Sequence, residues 1–582
     1  MSGSPGEMRR ATYVTALVAV LALGAALRTI FPAADPPWRT SAGVIWHDEG
    51  PWVHNARNKV LFGAWSLDQW NPMYIAPVFT GLEYLSFEAF GVGVRQARVV
   101  PALTGIVSVL LLALGIGRLG GRHAALAAAA LLATDYVYVM WNRAALMEGP
   151  MAAFMVIAWY GTVRAQAAPR WGWLAGVAAL GAFFTKASAA FFVVAVGLDA
   201  VMTLARSWRS RPHGAGVIGW QRPEARAALA TLGGLAAGSL LALAVFVVPN
   251  WHEYWFYNVQ MSILRKPHYD LRSLMDRASG FPIHHDIFTR TWFALAVGIT
   301  AALGVLVRWT RATAAERLLV LWVGLAAIEV ILHDVNERRY VMFIPPLVAL
   351  TALALGRDRR LVPDETSLLS RARALVALPL VLYASYTVIG AIVRMAFLYE
   401  VRPNVRIAAA AATVLTAAIY ATWPRAPRWL SGTRWTASAG LAVALLVAAG
   451  QAAQYVQWAV GRTYKNYEAS QLIGRVLPAG TLVHGKLANG LALENRIKPV
   501  FVGREFGNYA DRRERDDVRY ILTYISPKVG WESQHDNPVI DDVLQAYPDR
   551  QIILTFDVAE TPTGHDQAAL IDKFGRRAPA IR

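Results

Sequence analysis

The chain has 582 residues, of which 55% are hydrophobic and only 16% are charged. Soluble domains carry about a quarter charged residues, whereas this sequence repeatedly contains apolar runs near the ~20 residues that cross a bilayer, so its composition is that of a polytopic membrane protein. The absence of cysteine excludes disulfides, thiolate metal sites and a cysteine nucleophile.

Apolar segments of spanning length predict about thirteen transmembrane helices. They lie near 11–31, 99–117, 123–140, 150–166, 171–185, 188–205, 226–248, 288–307, 318–332, 341–356, 374–398, 405–423 and 436–459. The first segment follows Arg9 and Arg10 and lacks an obvious small-residue cleavage site. We therefore predict a first span rather than a removed signal peptide.

The formal net charge of +18 reflects membrane topology rather than nucleic-acid binding. Much of the arginine lies in alternate short loops between the apolar segments, as at Arg118, Arg122, Arg308 and Arg311. Because cytoplasmic loops carry an excess of Lys and Arg, this face and the N-terminus are predicted to be cytoplasmic. The expected location is a bacterial inner (plasma) membrane. The lipid bilayer is an expected partner, and nucleic acid is not.

The opposite, extracytoplasmic face receives two long loops, 32–98 and 249–287, and the C-terminal tail. Residues 1–459 are the predicted transmembrane domain. In residues 460–582 strand-like runs at 481–484, 520–524 and 551–556 alternate with helical stretches at 466–477 and 538–547. This alternation predicts a small extracytoplasmic α/β domain, and about 120 residues are enough to form a core.

Ionisable groups collect on the predicted outer face in four places. They are Asp48-Glu49 after span one, Glu148 between spans three and four, Lys186 between spans five and six, and, before span ten, His333-Asp334 with Asn336-Glu337 and Arg338-Arg339-Tyr340. A single such residue is usually a solvated loop charge or an anchor at a helix end. Several groups that share one face indicate a functional site, because charges at membrane depth are costly.

This order of residues resembles that of the GT-C membrane glycosyltransferases, which use polyprenyl-phosphate sugars. The resemblance covers roughly residues 11–356, and it is strongest to the branch of protein O-mannosyltransferases and bacterial lipid A aminoarabinose transferases. It rests on the Asp48-Glu49 loop, the turn from Arg143 to Glu148, the Thr185-Lys186 break and the Arg339-Tyr340 pair ahead of Pro345. Arg98 also matches an arginine often found before span two.

One segment departs from the pattern of those relatives. Where they commonly have His-Pro-Pro in the first loop, this chain has Asn71-Pro72-Met73. Because Asn71 stands where the relatives have histidine, any role of that histidine in them has no equivalent residue in this chain. The difference also weakens the transfer of a particular acceptor from the relatives to this chain.

The predicted function is that of an integral membrane glycosyltransferase that moves a sugar from a polyprenyl-phosphate donor to an extracytoplasmic protein, lipid or glycan. Such a reaction needs a base for the acceptor, and we assign it to Asp48, with Glu49 orienting the acceptor or Asp48, or the two roles reversed. Glu148 would help to bind the sugar. Cations must stabilise the leaving phosphate, and the predicted donor-phosphate residues are Lys186, Arg338, Arg339 and Tyr340.

A divalent metal ion is a possible cofactor. Oxygen ligands suit Mg²⁺ or Mn²⁺, and a histidine beside a carboxylate permits Zn²⁺, so the candidate ligands are His47, Asp48 and Glu148. No spacing in the sequence requires a metal. No Gly-rich phosphate loop is present either, which favours a donor delivered within the bilayer over a nucleotide.

The alternative is a membrane transporter or flippase for a lipid-linked sugar, in which the same acids serve as ion or proton relays. Transporters often show paired repeats with broken spans in matching halves. No such symmetry is visible in this sequence, and the acids lie at one face rather than in mid-span. A non-catalytic scaffold that presents the outer domain is a third, weaker reading.

Overall fold

The computed structural model describes residues 8–37, 46–209, 222–264, 269–280, 290–333, 337–356, 434–502, 508–525, 543–558 and 567–575, with isolated positions between 359 and 418 and Phe506. Its helices are α1 (Arg10–Thr29), α2 (Glu49–Phe62), α3 (Pro77–Phe90), α4 (Val94–Ala97), α5 (Val99–Thr134), α6 (Tyr136–Trp141), α7 (Glu148–Ala165), α8 (Trp171–Thr185), α9 (Ala190–Arg209), α10 (Pro223–Ala242), α11 (Trp251–Trp255), α12 (Met261–Leu264), α13 (Leu271–Gly280), α14 (Trp292–Val307), α15 (Ala314–Leu332), α16 (Ile344–Leu355), α17 (Ala437–Val460), α18 (Lys465–Val476), α19 (Lys486–Gly490) and α20 (Asn508–Asp511).

Eleven of the thirteen predicted spans are helical in the described part of the chain, and those near 374–398 and 405–423 lie almost entirely outside it. Within the described ranges, six helical segments are long and apolar enough to cross a bilayer. The chain is thus a multi-pass, mostly helical membrane protein. The total of thirteen spans stays a prediction.

The central element of the bundle is α5, which packs against α1, α7, α16 and α17. It contains two of the predicted spans, and they meet at Gly121, where φ is +81° and the backbone leaves the helical path. Glycine adopts that conformation without steric cost, so the chain can turn back there. The adjacent Arg122 donates to the Met8 carbonyl at 2.6 Å, which places this turn beside the cytoplasmic N-terminus that the arginine pattern predicts.

The C-terminal region forms a five-stranded mixed sheet. Its strands are β3 (Leu482–His484), β4 (Lys498–Val500), β5 (Tyr520–Tyr524), β6 (Gln551–Asp557) and β7 (Gln567–Asp572), in the order β4-β3-β5-β7-β6; a separate two-stranded ladder pairs β1 (Arg359–Arg360) with β2 (Arg434–Trp435). The pairs β3–β4 and β3–β5 are parallel, whereas β7 is antiparallel to both of its neighbours. The three predicted strands are present, while β4 and β7 were not predicted.

The first loop and the C-terminal region pack together above one end of the bundle. Helix α19 contacts α2, β5 and the short 3-10 turn Trp46–Asp48. Trp46 itself is 4% exposed and lies in the same hydrophobic cluster as Ile473, Leu487 and Leu522 of the C-terminal sheet region. This packing fixes the loop that carries the predicted catalytic carboxylates.

Candidate active site

The two adjacent acids of the first loop have different surroundings. Asp48 ends the 3-10 turn, and its Oδ2 accepts a hydrogen bond from Arg338 Nη1 at 2.9 Å. The side chains of this pair are 10% and 18% exposed. His47 lies next to it, with Nε2 3.9 Å from Asp48 Oδ1. Asp48 therefore joins the first loop to the segment before α16, as the sequence predicts for a shared site.

Glu49 is held by several donors at once. Arg98 Nε and Nη2 donate to its two oxygens at 2.8 and 2.7 Å, and the Ala145 N–H donates at 2.7 Å. Arg98 Nη1 also donates a hydrogen bond to the carbonyl of Ala34 at 2.6 Å. Such a bidentate, charge-assisted pair is geometrically specific. We assign Glu49 to positioning: it fixes α2 to α5 and to the turn that leads into Glu148.

Glu148 begins α7, where the helix dipole favours a carboxylate. Its side chain is 1% exposed, and one oxygen accepts from the Lys186 ammonium, whose side chain is 13% exposed. Lys186 stands in the break between α8 and α9. Burial lowers the pKa of Lys186, opposed by Glu148, and Arg338 and Arg339 lie close enough to lower it further. The three predicted phosphate-binding cations thus share one region.

Arg338, Arg339 and Tyr340 lie on the 3-10 helix Glu337–Phe343. Arg339 Nη1 donates to Glu329 Oε1 at 3.0 Å, and His333 Nδ1 lies 3.7 Å from the same oxygen. Tyr340 is fully buried in the apolar core of the bundle, and its role at the donor phosphate stays a prediction. Asp334 and Asn336 lie outside the described residues.

Glu329 is the site residue that the sequence did not reveal. It lies one turn from the end of α15, inside a segment that reads as a plain membrane span. The signal available in the sequence was an acid four residues before His333, at the end of the span that reaches the outer face. We refer to Asp48, Glu148, Lys186, Glu329, Arg338 and Arg339 as the charge cluster.

The charge cluster consists of three acid–base pairs: Asp48–Arg338, Glu148–Lys186 and Glu329–Arg339. Its side chains are mostly buried, so each interaction is stronger than it would be in bulk water. A phosphate that enters the cluster can replace a carboxylate as the partner of an arginine or of Lys186. The arrangement can therefore bind an anion and, at the same step, release a carboxylate to accept a proton.

A second acid lies near Glu49 in the first loop. Glu83 on α3 is fully buried, and neither of its oxygens has a hydrogen-bond partner among the described residues. Burial raises the pKa of Glu83 well above its ordinary value, and the carboxylate of Glu49 raises it further. Both effects favour the protonated form of Glu83, and the sequence did not distinguish this residue from ordinary loop charges.

The predicted metal ligands His47, Asp48 and Glu148 do not form a metal-binding group. Within the described part of the chain, no cluster of three or more His, Asp or Glu side chains has the geometry to hold an ion. Asp48 and Glu148 each pair with a cation of the protein instead. Metal dependence stays a prediction, and no step below uses a metal.

Two residues of the resemblance have structural roles. Asn71, at the position of the relatives' histidine, accepts from Asn55 Nδ2 and donates to the Asp68 carbonyl, which holds the loop together. Arg143 donates to the carbonyls of Leu27 and Phe31 at the end of α1. Both side chains are directed into the scaffold around the charge cluster.

Comparison with known proteins agrees with this picture. The sequence model of the family described as dolichyl-phosphate-mannose-protein mannosyltransferase matches residues 75–219, a segment that includes Glu148 and Lys186 and begins after Asp48. No curated protein matches the chain. The fold is similar to that of ArnT from Cupriavidus metallidurans bound to undecaprenyl phosphate, with a TM-score of 0.50, 16% identity and coverage of 96% of this chain and 97% of that chain.

Weaker similarities are found to two further structures. Archaeal oligosaccharyltransferase AglB from Archaeoglobus fulgidus, in complex with an inhibitory peptide and a dolichol-phosphate, has a TM-score of 0.44 and 12% identity, over 95% of this chain and 74% of that chain. The S. cerevisiae protein O-mannosyltransferase Pmt1-Pmt2 complex has a TM-score of 0.32 and 17% identity, over 44% and 34%. The family model supports the predicted resemblance over residues 75–219, and the similarity to ArnT shows the fold.

Proposed function

We propose that the chain is an integral membrane glycosyltransferase that transfers a sugar from a polyprenyl-phosphate donor to an extracytoplasmic acceptor. The observation that carries this proposal is the convergence of Lys186, Arg338 and Arg339 next to Asp48. A lipid phosphate needs such cations, and an acceptor needs such a base. The proposed location is a bacterial inner membrane, with the charge cluster and the C-terminal region on the extracytoplasmic side.

In the proposed reaction Asp48 takes the proton from an acceptor hydroxyl or amine. The acceptor atom forms a bond to the anomeric carbon, and the bond from that carbon to the phosphate oxygen breaks with its electron pair. Arg338 and Arg339 can present forked N–H groups to the phosphate, while Lys186 acts as a point charge. If Arg338 turns from Asp48 to the phosphate, donor binding itself would produce the free base.

Glu148 is proposed to orient the sugar. One of its oxygens pairs with Lys186, and the other has no hydrogen-bond partner among the described residues. That buried acceptor oxygen is suited to a sugar hydroxyl, because an unpaired buried carboxylate oxygen is costly. Glu329 would hold Arg339 in place until the phosphate arrives.

The proposal is tested with purified protein in proteoliposomes that contain a panel of radiolabelled polyprenyl-phosphate sugars and candidate acceptors. We expect a product whose mass equals the acceptor plus one sugar, with release of polyprenyl phosphate. Movement of intact lipid-linked sugar across the bilayer without a new product would contradict the proposal and indicate a flippase. Parallel reactions with EDTA and with added Mg²⁺, Mn²⁺ or Zn²⁺ test metal dependence.

A further inference from the structure

The C-terminal region makes direct contact with the loop that carries Asp48. Helix α19 lies against the 3-10 turn and the start of α2, two elements about 440 residues earlier in the chain. Asn489 Nδ2 lies 3.2 Å from His54 Nδ1 of α2, and the Phe501 N–H donates to Asp68 Oδ2 at 3.1 Å. The two regions therefore share an interface of hydrogen bonds as well as the apolar contacts of Trp46.

Arg57 is the main polar link in this interface. It lies on α2 and is 1% exposed, and its guanidinium donates to the carbonyls of Ala492, Asn495 and Ile497 at 3.1, 3.0 and 2.9 Å. Burial lowers the pKa of Arg57 to about 9, which still leaves it charged at neutral pH. One charged side chain thus bonds to three carbonyls within residues 492–497 and holds this segment against α2.

The contact is also close at the motif itself. A side-chain carbon at Gly50 would overlap the carbonyl oxygen of Asn489, and one at Gly490 would lie 3.1 Å from His47 Cβ. The backbone of α19 therefore touches the residues on both sides of the Asp48-Glu49 pair. A shift of α19 towards α2 would therefore displace the turn on which Asp48 stands.

We propose that Arg57 and the segment 486–497 of the C-terminal region are a positioning element for Asp48, so that turnover requires this segment to be docked on α2. The inference rests on the proposed function of Asp48 as the base. Proton transfer and attack need the reacting atoms within a few tenths of an ångström of their productive positions, and small misplacements cost large factors in rate. The C-terminal region would therefore control catalysis through the position of Asp48.

Gly50→Ala is the first test, with Gly81→Ala as its matched control. Both glycines lie on helices of the first loop, and a side-chain carbon at Gly81 meets nothing within 4 Å. Replacing a helical glycine with alanine normally stabilises a helix, so a loss of activity in Gly50→Ala must come from the overlap with Asn489. We expect at least a tenfold lower kcat for Gly50→Ala and wild-type kcat for Gly81→Ala.

Arg57→Lys is the second test, with Lys59→Ala as control. Lysine keeps the charge but cannot reach three carbonyls with a planar fork. Lys59 lies on the same helix, and its ammonium contacts the carbonyl of Gly63 within the loop. We expect Arg57→Lys to lower kcat at least tenfold while the Kd for polyprenyl phosphate stays within threefold of wild type.

Hydrogen exchange of residues 46–50, measured by mass spectrometry, gives a readout that does not depend on transfer. Faster exchange in Gly50→Ala and Arg57→Lys, with unchanged exchange in α5, is the expected result. If either folded variant keeps kcat within twofold of wild type, or if kcat and donor affinity fall by the same factor, the inference is overturned. Absence of transfer from wild-type protein would instead contradict the proposed function, because exchange would still report the docking.

Discussion

Asp48 and Glu49 are neighbours in the sequence, yet they belong to two regions with opposite physical character. The region around Glu49 is an anchor: Arg98, with 8% of its side chain exposed, grips both carboxylate oxygens and two further carbonyls. The charge cluster around Asp48 is more open, with side chains of Arg338 and Arg339 that are 18% and 24% exposed. An active site needs a fixed region as well as an open one, because groups that exchange partners during a reaction work only if their surroundings stay in place.

The comparison predicts which substitutions unfold the protein and which only inactivate it. In Arg98→Ala the buried carboxylate of Glu49 loses its partner, and breaking a buried pair in this way costs about 3–5 kcal/mol. In Arg338→Ala the cluster can rearrange, so the protein should remain folded but transfer slowly. Thermal unfolding of the two variants in detergent, followed by the transfer assay, distinguishes them.

A wild-type unfolding temperature for Arg98→Ala would show that Glu49 is not an anchor, and the division between the two regions would fail. A large loss of stability in Arg338→Ala would also contradict this division, because the charge cluster would then be needed for folding.

Arg339 tests the cluster alone. Arg339→Ala should slow transfer by the ~2–4 kcal/mol typical of one lost electrostatic contact in a transition state. Arg339→Lys keeps the charge and loses the fork, so its effect should be smaller and should appear in donor affinity, with an unchanged pH dependence. Arg95→Ala, which removes an exposed cation of α4 outside the cluster, serves as the control.

Transfer within twofold of wild type in folded Arg339→Ala would mean that Arg339 only anchors the helix end through Glu329. The phosphate role would then pass to Arg338 or Lys186.

The C-terminal region should show a smaller effect that depends on pH. Burial lowers the pKa of His484 to about 3, with help from Lys573 and Arg515. The unfolded chain binds a proton at His484 near pH 6.5 and the folded chain does not, so stability is complete above pH 6.5 and falls as the pH drops towards 3. Each pH unit in this window costs up to about 1.4 kcal/mol.

His484→Leu should remove this acid sensitivity, which thermal unfolding between pH 7 and 4 would measure. An identical pH dependence in wild type and His484→Leu would assign the acid lability to other groups.

Most of the charge cluster was visible in the sequence, and Glu329 is the exception. Glu148, Lys186, Arg338 and Arg339 stand at the ends of apolar segments, where an ionisable group is rare enough to stand out. Asp48 stood out as half of an adjacent acid pair in the first outer loop. The helices of the bundle were visible for the same reason, because spanning length and apolar composition are local properties. The bounds of α8 and β5 coincide with the predicted ones.

The anchor was not visible, and its residues show why. Arg57 and Glu83 lie in a loop that contains many other charges, and their burial depends on contacts with distant parts of the chain. Arg57 bonds to residues more than 430 positions later, a pairing that no local pattern encodes. Glu49 was given either of two roles because the sequence shows two adjacent acids but not which one Arg98 reaches. Strands β4 and β7 were missed because short strands gain stability mainly from their neighbours in the sheet.

The most direct test of the account measures donor binding and sugar transfer in the same preparation of Asp48→Asn. The substitution keeps the size of the side chain and removes the base, and loss of general-base catalysis typically costs about 10²–10⁴-fold in rate. We expect Asp48→Asn to be a folded protein with donor affinity close to wild type and a transfer rate reduced by that factor. Transfer at a near-normal rate in Asp48→Asn would contradict the assignment of the base and with it the proposed division between Asp48 and Glu49.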